Sequence, residues 1–104
     1  MPSRIETLLG PSNFTIRVVS AHYDLTGRSE LLAAADQGHV VGGARCTRNL
    51  RVGAGAAPEV RPGMLLCWRT AADKSVVTIA IDKLRPPSAA ASAVVVDQEW
   101  TAMG

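Results

Sequence analysis

The chain has 104 residues, the size of one domain. With 47% apolar and 19% charged residues it has globular composition, which excludes the disordered class. The net charge is +2 with basic and acidic residues interleaved, which argues against the clustered basic face of a nucleic-acid binder, and no apolar run approaches the ~20 residues of a membrane-spanning helix.

Residues 1–12 read as a loosely attached N-terminal arm with a short amphipathic turn at "IETLL", and residues 13–104 as a single α+β domain. The opening stretch has no apolar run of signal-peptide length and carries Glu6, which leaves a cytoplasmic protein or one whose export signal has been removed. In "NFTIRVV", Phe14, Ile16 and Val18 alternate with Thr15, Arg17 and Val19, the period of a half-buried strand. "TGRSELLAAADQG" predicts a helix over about 27–37, capped by Thr26, closed by Gly38 and burying Leu31, Leu32 and Ala35.

From His39 to Val52 the pattern turns strand-like. Ala44, Cys46, Leu50 and Val52 fall on one parity, and Arg45, Thr47, Asn49 and Arg51 on the other. Arg48 interrupts the apolar face and predicts a bulge or an edge position, while Gly42 and Gly43 allow a bend. "GAGAAPEVRPG" is a loop. "MLLCWRT" and "SVVTIAIDKL", joined by "AADK", predict a hairpin whose second strand is central. Ser88 caps a final helix over 89–103 with the stripe Ala89, Ala93, Val96, Trp100 and Met103. Three consecutive strands with short links imply an α+β fold, an antiparallel β-meander of about four strands with two α-helices packed on one face.

Cys46 and Cys67 are the chain's only cysteines, and both fall on predicted strands. If those strands lie together, a disulfide closing a loop of ~20 residues would stabilise the domain by roughly 3 kcal/mol; otherwise both are buried thiols acting as small hydrophobes. No catalytic residue is assigned. Cys46 follows His39 by seven positions, but the apolar neighbours of Cys67 favour the thiol over the reactive thiolate. No metal site is assigned either, because His22, His39, Cys46 and Cys67 form no CxxC or HxxxH pair. "GAGAAP" lacks the strand-to-helix context of a dinucleotide loop, and no cofactor is expected. Arg45 and Arg51, with Arg69 as a neighbour, are candidates for an anion-binding face, which could equally be the solvated side of a sheet. Trp68 and Trp100 are candidates for a pocket lining or simply the largest core residues.

The order of a capped helix, a strand with Cys46, a Gly/Pro loop, "LLCWRT", "SVVTIAI" and a helix ending in "EW" resembles small extracytoplasmic domains of actinobacteria, the lipoprotein and kinase-sensor domains with a Mog1/PsbP-like fold. The resemblance covers residues 26–103; the chain shows no export signal or lipobox cysteine and reads one strand or helix short of that pattern. It implies a non-catalytic domain that binds a ligand or partner.

The leading expectation is therefore a non-catalytic domain binding a protein partner or small ligand, with a homodimer as one form it could take. It would be secreted or lie at the cell envelope if the cysteines are bonded, and lie in the cytoplasm otherwise. Two alternatives stand beside it: a small enzyme or accessory subunit whose site is completed by oligomerisation, favoured by a pocket that joins His22, His39 or Arg48, and a cytoplasmic regulator contacting nucleic acid.

Overall fold

The β-branched runs pair antiparallel throughout. A computed structural model describes residues 4–9, 14–53 and 55–104. Its main sheet contains β1 (Arg4–Leu9), β2 (Phe14–Ala21), β3 (His39–Val41), β4 (Ala44–Thr47), β7 (Met64–Thr70) and β8 (Ser75–Asp82), in the order β1-β2-β8-β7-β4-β3. Between β4 and β7 the chain forms a two-stranded ribbon, β5 (Asn49–Leu50) with β6 (Glu59–Val60). The fold is α+β with an antiparallel sheet, as expected, but it differs from the expected meander. Among the described residues the sheet is six-stranded; β4, β7 and β8 stand side by side as the three consecutive strands were expected to, but β2 lies beside β8 rather than at the β4 end. β2 and β8 match in length, eight residues each, and pair along their whole span from Phe14–Asp82 to Ala21–Ser75. The expected turn at "IETLL" is strand β1, paired with β2 from Arg4–Ser20 to Leu9–Thr15. The rest of the expected arm, residues 1–3 and 10–12, lies outside the described residues.

Among the described residues there is one α-helix, α1 (Ala89–Ala102). The Ser88 side chain caps it by accepting from the backbone N–H of Ala91 at 3.1 Å, which satisfies one of the donors a helix start leaves open. Its apolar stripe packs on the sheet. Ala93 and Val96 are buried, and Ala89, Trp100 and Met103 border a core that includes Ile16, Val18, Ala44, Leu65, Val76 and Ala80.

The second expected helix is not formed. Residues 27–37 hold only a 3-10 helix, Ser29–Ala33, and it lies on the opposite face of the sheet from α1. Competing backbone bonds explain the difference. Ala35 N–H donates to the Asn49 carbonyl at 3.0 Å, Arg51 N–H to Ala33 at 2.8 Å, and Ala34 bridges Leu50. The chain there spends its backbone groups on β5, and five residues are too few for a helix to persist on propensity alone. This segment covers a second core of Val19, Ala21, Leu25, Leu31, Leu50, Leu66 and Val77.

The predicted hairpin is present as β7 and β8, closed by Ala71 N–H donating to the Lys74 carbonyl at 2.8 Å. β8 is central, between β2 and β7. At Arg48 the strand ladder breaks. Ala44 and Cys46 belong to the core under α1, whereas Leu50 belongs to the core on the other face. The parity expected to run unbroken from Ala44 to Val52 switches at that residue, as a bulge would make it.

Candidate functional site

Cys46 and Cys67 are directly opposed in the β4–β7 register, with Cα atoms 4.1 Å apart and sulfurs at disulfide-bonding distance. That spacing suits the close pairs of an antiparallel ladder, which stand about 4.5 Å apart. Both residues are essentially inaccessible, at 1% and 0% exposure, among the aliphatic side chains beneath α1. The pair staples the sheet from within and presents no thiol to solvent.

The same register places the remaining candidates. Side chains alternate along a strand, so Trp68 and Arg45 lie on the face away from α1 while Arg69 lies beneath it. Arg45 stands directly opposite Trp68. Arg69 contacts the helix instead: its Nη1 donates to Asp97 Oδ1 at 3.5 Å, and its guanidinium stacks 4.3 Å from the Trp100 ring centroid. Arg51 lies exposed beyond β5. Arg45 and Arg69 of the expected anion-binding face thus start from opposite faces of the sheet, although both border one hollow beside Gly42 and Gly43, and Arg51 lines neither that hollow nor the Trp68 recess.

The two tryptophans are divided in the same way. Trp100 is held between Arg69 and Lys74, each 4.3 Å from its ring centroid. Lys74 Nζ also donates to the carbonyls of Trp100 and Gly104, both at 3.1 Å, so the hairpin turn supplies the cation that the last turn of α1 lacks. Trp100 therefore serves to lock the helix.

Trp68, half-buried, lines an open recess of about 350 Å³ on the other face, together with Thr26, Leu31, Asp36, Gln37, Arg45 and Thr70. A second hollow of about 220 Å³ adjoins it, sharing Arg45, Trp68 and Thr70. The recess wall is held by a small network. The Asp36 carboxylate accepts from Gly38 N–H at 2.8 Å and from Asn49 Nδ2 at 3.3 Å. The Thr47 hydroxyl first, then the Gly38 N–H, holds that carboxyl below the usual carboxylate range. Arg45 Nη1 donates to the Gln37 carbonyl at 3.3 Å. Gly38 closes against the ring: a Cβ there would lie 3.1 Å from Trp68 Cη2 and 2.5 Å from the Cys46 carbonyl oxygen.

Asp36 and Gln37 were not legible as site residues, because they fall inside the expected helix. Arg69, by contrast, could have been separated from Arg45 by parity. If Cys46 faces Cys67, then Arg69, two residues beyond Cys67, shares their face and Arg45 does not.

A third cavity, of about 390 Å³, brings His39 and Arg48 together, with Thr47, Asn49 and Asp36 on its wall. Arg48 is committed to structure there, donating to the Pro87 carbonyl at 2.6 Å and the Pro62 carbonyl at 3.4 Å. His22 lines neither this cavity nor the Trp68 recess. Among the described residues, no group of three or more His, Cys, Asp or Glu could hold a metal ion, and no helix is long and apolar enough to cross a membrane. The chain matches no family model, no curated protein and no solved structure.

Proposed function

We propose that the protein is a non-catalytic, extracytoplasmic binding domain whose ligand site is the recess at Trp68. The observation that carries this reading is the recess itself, where an aromatic wall and several polar side chains converge in about 350 Å³. Ligand pockets typically measure about 300–1,000 Å³ and pair apolar surface with a few placed polar groups. The cysteine pair supports the compartment, since disulfides persist in oxidising environments. A ligand-observed fragment screen tests the site: hits competing at Trp68 support it, and a screen with no response at the Trp68 indole overturns it. Alkylation of the unfolded, never-reduced protein tests the compartment. Unlabelled protein at monomer mass is expected, and two labels per chain would return the domain to the cytoplasm.

A second reading, an enzyme or accessory subunit, draws on the cavity that joins His39 to Arg48. Turnover of any substrate that disappears in His39→Ala would put it ahead of the binding reading.

A further inference from the structure

The chemistry of the Trp68 recess narrows the ligand class, on the premise that the recess is the binding site. Its rim is charge-balanced. Arg45 brings one positive charge and Asp36 one negative, and Thr26, Gln37 and Thr70 complete it with uncharged polar groups. An anionic ligand drawn to Arg45 would meet the Asp36 carboxylate in the same recess, and a cationic ligand would meet Arg45. A ligand without net charge avoids both costs. It must also offer donors and acceptors together, because the rim offers both: carboxylate oxygens accept, the guanidinium donates, and hydroxyls and the amide do either.

The aromatic wall adds a second requirement. The indole gives a flat apolar surface beside those polar groups, which suits a ligand with one C–H face and a rim of hydroxyls. Asp36 and Arg45 are both planar groups able to engage two neighbouring hydroxyls at once. Both are also oriented before any ligand arrives, Asp36 by Gly38 and Asn49 and Arg45 by Gln37, which lowers the ordering cost of binding. The adjoining hollow, which shares Arg45, Trp68 and Thr70 and is also lined by Arg69, whose charge is paired with Asp97, gives a second ring room to continue along the surface.

We infer that the Trp68 recess binds a neutral saccharide, one ring lying against the indole and its vicinal hydroxyls bridging Asp36 and Arg45. Aromatic carboxylates, the nearest competitors, satisfy Trp68 and Arg45 but leave Asp36 opposed to their charge.

The test follows the indole N–H resonance of Trp68 in the ¹⁵N-labelled 104-residue chain, assigned by its persistence in Trp100→Phe. The protein is titrated separately with maltose, cellobiose and N,N′-diacetylchitobiose, and with benzoate and indole-3-acetate. A saturable shift with at least one saccharide is expected, insensitive to added salt and weakened about tenfold or more in Asp36→Asn and in Arg45→Ala, each of which removes a charge-assisted hydrogen bond. Both positions lie at the recess rim, and the dispersion of the amide spectrum checks that each variant is folded. Saturation by benzoate or indole-3-acetate with no response to any saccharide would overturn the saccharide assignment and leave the recess as the binding site. No response to any of the five probes would overturn both.

Discussion

At Gly38 the backbone turns with φ of 64°, a conformation open to glycine, and the Asp36 carboxylate accepts its N–H. A side chain there has nowhere to go, since its Cβ would meet the Cys46 carbonyl at 2.5 Å. Gly53, with φ of 100°, has nothing within 4 Å of its Cβ position. Gly53→Ala should therefore cost only its backbone conformation, about 1–2 kcal/mol, and Gly38→Ala distinctly more; chemical denaturation of both variants measures the gap. Asp36 gives a pH signature of opposite sense to a raised group. Its folded-state value is depressed by Thr47 and Gly38. The stability it contributes is present above the unfolded carboxyl value, about 3.9, and is lost as pH falls through the lower folded one. Denaturation midpoints followed downward from about pH 5 should fall less steeply in Asp36→Asn than in the parent protein.

Among the elements, α1 is fastened at both ends by groups outside its own turns. Ser88 caps its start, and Lys74 from the β7–β8 turn caps its end while stacking on Trp100. Lys74→Ala should cost about 1–2 kcal/mol, the sum of a helix-end cation and a cation–π contact, and Lys74→Arg should recover part of it. On the other face, the segment around the 3-10 helix is held by packing. Leu25 is fully buried, whereas Leu32 is 65% exposed. Leu25→Ala should cost about 2–5 kcal/mol and Leu32→Ala almost nothing, although the sequence reading placed Leu32 on a buried helix face. Periodicity correctly located β2, the β7–β8 hairpin and α1, because each buries a face that repeats locally. It misread residues 27–37, because their backbone partners, Asn49 and Arg51, are supplied by another part of the chain.

For the molecule as a whole, the cysteine pair ties β4 to β7 beneath α1. Its closed loop spans 21 residues of sequence separation, for which chain entropy gives about 3 kcal/mol. Urea midpoints with and without a thiol reductant should differ accordingly, and the double variant Cys46→Ala, Cys67→Ala should lose its sensitivity to reductant. The two cores on either side of the sheet put the disulfide on the α1 face and the Trp68 recess on the other. Reduction is thus expected to lower stability without abolishing the recess at temperatures where the domain remains folded.

Three things were decided by the sequence alone: the α+β class, the central apolar hairpin, and the helix whose stripe runs from Ala89 to Met103. Each depends on a short-range period that side-chain burial imposes wherever the segment lands. The tertiary structure alone decided the strand order, the identity of the two faces, and the division of Arg45 from Arg69 and of Trp68 from Trp100. Register is the physical reason. In an antiparallel sheet a shift of one residue exchanges the faces of every side chain. The pairing of Cys46 with Cys67 is what sets Arg45 opposite Trp68 and turns Arg69 toward the helix.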